Sequence, residues 1–190
     1  MLIRTDRGWL VLGYAGVAGF FAVEALARQP GEASSMEAAP DDQGTTRMIV
    51  TGYALAALAP TLGRIAGRRL SSAAGPVGLT LEASGIALRA WSMRVLGTSY
   101  TRTLRAAENQ IVVEAGPYRL VRHPGYSGSL LTWAGFALTS RSLPVIALVG
   151  ALLGRAYRRR ILAEEQLLQR ELPGYASYCA RTKRLIPWVW

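Results

Sequence analysis

The stretch WLVLGYAGVAGFFAVEALA, residues 9–27, is apolar throughout except for Glu24. Its length is close to the roughly 20 residues a helix needs to cross the hydrocarbon core of a bilayer. The other reading is a secretory signal peptide, with Arg4 and Arg7 as its basic end and Ala25-Leu26-Ala27 as a cleavage-like site. Further apolar segments downstream favour a retained helix. Residues 48–63, MIVTGYALAALAPTLG, form a second candidate span with Pro60 near its end. Residues 76–97 form a third, interrupted by Glu82, Arg89 and Arg94. Ionised side chains are costly at mid-bilayer, so these three should face protein or water. Residues 127–140 and 143–154 are shorter apolar runs on either side of Arg141-Ser142. Each is marginal as a span, and together they predict a tight helical hairpin. Residues 155–172 read as a charged helix that leaves the membrane. No period-two alternation marks a strand. The expected fold is an all-α integral membrane protein with about five transmembrane helices, including a C-terminal hairpin.

Composition agrees with that reading. Of the 190 residues 51% are hydrophobic and 18% charged, and the net charge is +10. Soluble domains average about 25% charged residues. Bulk disorder is excluded, and a basic, greasy chain with Arg at the edges of its apolar runs fits a membrane better than nucleic acid. The single cysteine, Cys179, excludes an internal disulfide framework, and with the single histidine, His123, it argues against a metal site. Residues 28–47 carry Pro30, Gly31, Pro40, Gly44 and the acids Glu32, Glu37, Asp41 and Asp42, and read as a polar loop. With five spans and the C-terminus in the cytoplasm, fourteen Lys and Arg lie inside and six outside. The bias favours this orientation, although Arg64, Arg68 and Arg69 run against it. Two regions follow: residues 1–97, N-terminal transmembrane helices with the polar loop at 28–47, and residues 98–190, with the hairpin at 127–154 and the chemistry-bearing side chains.

Those side chains form two blocks. The first is QIVVEAGPYRLVRHPGYSG, residues 110–128. Gly116-Pro117 and His123-Pro124-Gly125 break helix twice, predicting an irregular loop before the hairpin. Such backbone is tolerated near a membrane where it lines a cavity or is buried in protein. It reads either as a small-ligand cradle or as an interfacial turn, with Tyr118 and Tyr126 in the aromatic belt and Arg119 and Arg122 on lipid phosphates. The second block, residues 160–190, opens with Arg160, Glu164 and Glu165. Arg160 and Glu164 share a helix face, as a surface ion pair or as an anion clamp in which Glu164 steadies the guanidinium. Trp188 and Trp190 read as interfacial anchors.

The ordered set resembles the isoprenylcysteine carboxyl methyltransferase family, within the wider group of small membrane methyltransferases that includes phospholipid methyltransferases. The resemblance covers about Leu96 to Trp190. It is carried by Leu96-Gly97-Thr98, Gly116-Pro117-Tyr118-Arg119 and Arg122-His123-Pro124-Gly125-Tyr126-Ser127-Gly128, then, past an apolar hairpin, by Arg160, Glu164-Glu165, Leu168, Tyr175, Tyr178, Arg181-Thr182 and Arg184-Leu185-Ile186-Pro187. It implies a methyltransferase in residues 98–190 that uses S-adenosylmethionine at the cytoplasmic face. The cofactor would be held by Gln110, Ile111, Val112, Val113, Tyr118, His123, Pro124, Gly125 and Tyr126, and by Glu164. Arg160 and Glu164 would be the catalytic pair, Arg160 facing the substrate. Gln110 stands where eukaryotic members commonly carry His. The implied acceptor is lipophilic and enters from the bilayer, most simply as a carboxylate oriented by Arg160. With an amine acceptor, Glu165 could take the proton. The implied location is the inner membrane of a bacterial cell, with no metal and no nucleic-acid partner. The alternatives are an amine, thiol or phospholipid methyltransferase of the same fold, an NADPH-dependent membrane reductase, and a basic membrane adaptor without enzymatic activity.

Overall fold

The computed structural model describes residues 6–27, 42–62, 69–97 and 111–190. Among them are six α-helices and no β-strand. They are α1 (Asp6–Leu26), α2 (Thr45–Leu62), α3 (Ala74–Leu96), α4 (Pro124–Thr139), α5 (Leu143–Glu171) and α6 (Tyr175–Arg181), with a 3-10 turn at Gly116–Arg119. The all-α expectation is met, and each apolar run became a helix. By length and hydropathy, α1 alone among the described helices has a stretch long and apolar enough to cross a membrane, Arg7–Leu26.

The hairpin differs in extent from its prediction. The run at 143–154 and the charged run after it form one helix of 29 residues, about 44 Å long at 1.5 Å per residue. No strong breaker separates them. The helix stops only before Pro173-Gly174, where Gly174 takes φ +84, a conformation glycine adopts without strain. At the other end Pro124 is the first residue of α4, where its missing N–H leaves no bond unmade.

Helix α3 packs on α4 backbone to backbone. A Cβ added to Gly85 would lie 2.4 Å from the Thr132 nitrogen, and one on Gly135 would lie 2.4 Å from the Glu82 nitrogen. Gly78 and Gly128 make similar approaches. Close packing of small residues is what holds helices together where lipid removes the hydrophobic drive. Helix α1 lies on α3 and α4, and α2 lies on α5. The shared core contains Val17, Ala56, Trp133, Phe136, Val149, Leu153 and Tyr157. Tyr53 of α2 stacks on Trp133 with ring centroids 4.7 Å apart and hydrogen-bonds the Tyr157 hydroxyl.

The bundle has two distinct ends. At one, the α4–α5 turn docks on the segment before α3: the Leu70 N–H donates to the Arg141 carbonyl at 2.8 Å, and Arg141 Nη2 donates to the Leu70 carbonyl at 2.7 Å. At the other, the end of α1, the starts of α2 and α4 and the middle of α5 converge. Glu82 and Arg89 are buried, as their place in the third apolar run required, whereas Arg94 is exposed.

Candidate functional site

The loop before α4 is held by the chain's own C-terminal segment. The Arg122 N–H donates to the Lys183 carbonyl at 2.7 Å, and the His123 N–H donates to that of Arg184 at 3.0 Å. The Ser127 hydroxyl donates to the Leu185 carbonyl at 2.8 Å. Glu165 of α5 clasps the same two strands of chain. It lies 2.8 Å from Arg122 Nε, 3.2 Å from His123 Nε2 and 2.8 Å from Arg184 Nε. Burial pushes this carboxyl up, but the bonds from His123, Arg122 and Arg184 outweigh it and hold the pKa at about 2. Both Glu165 oxygens are engaged, Oε1 with Arg122 and His123 and Oε2 with Arg184, which makes this carboxylate a tie between segments of the chain.

Four of the expected site residues meet one turn before this clasp. The His123 ring stacks on Tyr126, with centroids 5.5 Å apart and planes 9° off parallel. The Tyr126 hydroxyl donates to Glu164 Oε2 at 2.5 Å and accepts from Arg160 Nε at 3.3 Å. Arg160 and Glu164 are therefore joined through a tyrosine rather than as a direct pair. Pro124 and Gly125 sit in the first turn of α4 between them.

The expected cofactor segment lies elsewhere in part. Gln110 falls outside the described residues. Ile111 is 69% exposed. Val112 packs with Leu168 against Leu172, Tyr175 and Tyr178, and Leu168 follows Glu164 by one turn of α5. Val113 is half-buried. Tyr118 is buried, and its carbonyl accepts from the Tyr178 hydroxyl at 2.7 Å. Val112 and Tyr118 thus lie against α6 and the end of α5, while Gly116 between them faces Val95 and Trp91 of α3.

Three contributors were not anticipated. Asp42, Thr45 and Thr46, from the end of the polar loop and the start of α2, surround Arg160. Arg160 Nη1 lies 2.6 Å from Asp42 Oδ1, 3.2 Å from Thr45 Oγ1 and 3.1 Å from Thr46 Oγ1. The Thr46 N–H donates to both Asp42 oxygens at 3.0 Å, which makes Asp42 an N-terminal cap of α2. Burial raises the Asp42 carboxyl, but these bonds and the Arg160 charge more than reverse it and hold it below the ordinary carboxylate range. The signal was present as Asp-x-x-Thr-Thr, one residue ahead of the apolar run at 48–63.

Arg89 of α3 was also missed as a site residue. It pairs with Glu24 of α1 and donates from Nη1 to the Gly125 carbonyl at 3.1 Å and to Ser129 Oγ at 2.8 Å. The available clue was Glu24, the one charged residue of the first apolar run, together with Arg89 inside the third. Arg89→Ala should release the first turn of α4, costing about 3–5 kcal/mol as a broken buried pair, and Arg89→Lys should recover part of it. Thermal unfolding in detergent measures both; equal stability of wild type and Arg89→Ala would remove Arg89 from this role.

The junction leaves one carboxylate oxygen available to a hydrogen-bond donor. Glu164 spends Oε2 on Tyr126, and its Oε1 accepts no hydrogen bond among the described residues. A family model described as phospholipid methyltransferase matches residues 74–173, just over half of the chain. The chain belongs to that family. The match takes in α3, which the resemblance from Leu96 onward left out and which supplies Arg89. Similar proteins of this family's kind include protein-S-isoprenylcysteine O-methyltransferase B of Arabidopsis thaliana, 31% identical over 116 residues, 59% of this chain and 58% of that protein. A probable protein-S-isoprenylcysteine O-methyltransferase of Oryza sativa subsp. japonica is 31% identical over 118 residues, 60% and 61% of the two chains. The chain is also 30% identical over 148 residues to cobalt-zinc-cadmium resistance protein CzcN of Cupriavidus metallidurans, 76% of this chain and 62% of that one. These alignments span about three-fifths of each relative's length.

Proposed function

We propose that this member of the phospholipid methyltransferase family is an S-adenosylmethionine-dependent methyltransferase that methylates the carboxylate of a lipophilic, isoprenylcysteine-like acceptor. The observation that carries the reading is the junction of Tyr126, Arg160 and Glu164, where the Arg-His-Pro-Gly-Tyr loop meets α5. Family membership and the names of the plant relatives support methyl transfer as the chemistry.

Bound S-adenosylmethionine supplies a methyl group on a positively charged sulfur. Glu164, with one oxygen unspent, is the residue of this site suited to that positive charge or to a ribose hydroxyl. Ile111, Val112 and Val113, with Tyr118, would flank the same ligand from the α6 side, and His123, Pro124, Gly125 and Tyr126 would wall it from below. Arg160 would orient the acceptor. An acceptor carboxylate is ionised at neutral pH. Its oxygen gains the methyl, the carbon–sulfur bond breaks with its electron pair left on sulfur, and no proton moves. The protein then has to position the reactants and exclude water.

In the same reading α2 to α5 cross the inner membrane of a bacterial cell beside α1, giving five spans. The end bearing Arg160 faces the cytoplasm, so the soluble cofactor arrives from water and the acceptor from lipid. The distribution of Lys and Arg supports this orientation.

Isothermal titration of the detergent-purified protein with S-adenosylhomocysteine tests the reading. Saturable binding is expected, weakened about tenfold or more in Glu164→Ala, the scale of a lost charge-assisted hydrogen bond, and weakened also in His123→Ala. Absence of binding by folded protein overturns it, and saturable NADPH binding in its place would favour a reductase. Methyl incorporation into amine or thiol probes but not acids would retain the enzyme class and replace the acceptor.

A further inference from the structure

Arg160 is less available than its place in the site suggests. Its Nε is given to Tyr126 and its Nη1 to Asp42, Thr45 and Thr46. Nη2 makes no hydrogen bond among the described residues, and it is not one of the sealed, unpartnered atoms of the molecule. Asp42 is no passing surface partner. It is 2% exposed and fixed as the cap of α2, receiving the Thr46 N–H, the Thr46 hydroxyl at 2.6 Å and the Thr45 hydroxyl at 2.9 Å. The guanidinium charge is thus already matched within the chain, and the Glu164 carboxylate lies just beyond Tyr126.

A free guanidinium grips a carboxylate with two parallel bonds. That grip would orient an acceptor well and blunt it as a nucleophile, because both oxygens and most of the charge would be tied up. With Nε and Nη1 occupied, Arg160 can offer an incoming carboxylate only Nη2. One oxygen is then held and the other stays free to attack.

We propose that Asp42 is a specificity-determining residue: its charge matches that of Arg160 and so weakens the hold of the remaining Nη2 on the acceptor carboxylate, trading affinity for reactivity. This inference rests on the methyltransferase reading above. It concerns a residue outside residues 74–173, the stretch that carries the family match.

Asp42→Asn is the test. Asparagine keeps a carbonyl oxygen for the Thr46 N–H and for Arg160 Nη1, so the variant removes the matching charge while leaving the contact in place. The probes are N-acetyl-S-farnesylcysteine and its methyl ester, titrated into full-length wild type and variant in the same detergent. The acid is expected to bind the variant at least about tenfold more tightly, the scale of one unit charge removed at short range in a partly screened site. The ester should bind both proteins equally. Turnover of the acid at saturation should fall in the variant while its KM falls too. Equal affinity of the acid for both proteins, including no binding to either, overturns the proposal. If Asp42→Asn does not fold, Asp42→Ser, which is neutral and also a favoured residue at a helix start, replaces it. It should show the same tighter binding of the acid with the ester unchanged, and equal affinity of the acid for it and for wild type overturns the proposal. S-adenosylhomocysteine is titrated in parallel. Failure of wild type to bind it speaks against the methyltransferase reading itself, whereas binding without the acid–ester split speaks against the role of Asp42 alone.

Discussion

Glu165→Ala should unfasten the C-terminal segment from the site loop and abolish S-adenosylhomocysteine binding at concentrations that saturate wild type. Glu165 is 3% exposed and lies within 3.2 Å of three donors on two segments, Arg122, His123 and Arg184. Removing it leaves the Arg122 guanidinium buried with only carbonyl partners, those of Cys179 and Thr182. Breaking a buried ion pair by deleting one partner costs about 3–5 kcal/mol. Limited proteolysis should cut near Thr182–Leu185 in the variant before it cuts wild type, and the thermal midpoint should fall. Glu165→Gln, which keeps the shape and loses the charge, should fall between. Unchanged proteolysis and unchanged affinity would show the clasp to be dispensable. The same group sets an acid limit. Its folded pKa of about 2 lies below the ordinary 4.5, so its contribution is complete above about pH 4.5 and is lost as pH falls toward 2. Wild type should lose stability through that window, and Glu165→Gln should lack that component of the loss.

Gly135→Val should prevent assembly of the bundle altogether. The added Cβ would stand 2.4 Å from the Glu82 nitrogen and 2.5 Å from the Gly78 carbonyl oxygen. Both are backbone atoms of the facing helix, so no side-chain rotation relieves the clash and α3 must move off α4. Overpacking a well-filled core typically costs about 1–3 kcal/mol, and an obstruction made of helix backbone should exceed that range. Gly150 is the control. Nothing lies within 4 Å of its would-be Cβ, so Gly150→Ala should be neutral or stabilising by up to about 1 kcal/mol. Monodispersity after extraction, followed by size-exclusion chromatography through a temperature series, separates the two. A monodisperse Gly135→Val protein with wild-type stability would refute the close α3–α4 packing.

The existence and order of α1 to α5 were legible because each apolar run is bounded by loop residues or charges, whereas the short α6, Tyr175–Arg181, had no apolar run to mark it. The other exception was the junction at Gly154-Arg155. There the change from apolar to charged residues resembled a boundary, yet a polarity change does not interrupt backbone hydrogen bonding, and α5 runs through it. His123, Tyr126, Arg160 and Glu164 were legible as an ordered motif. Their linkage was not, because Arg160 and Glu164 at i and i+4 suggest a direct pair, and only the position of α4 inserts the Tyr126 hydroxyl between them. Asp42 was hidden by its loop-like neighbours, whose composition masked a helix cap.

The helical class and the succession of apolar segments follow from local periodicity and composition alone. The resemblance, carried by residue types in a fixed order, singled out His123, Tyr126, Arg160 and Glu164. The tertiary structure alone decided that Asp42 occupies Arg160, 118 positions away, that Arg89 steadies the first turn of α4, and that Glu165 closes the site with the chain's own C-terminal segment. Each is a contact between a charged side chain and partners distant in sequence. Several partners were available to each of them, and helix packing at the convergent end of the bundle selects which ones come within a hydrogen-bond length.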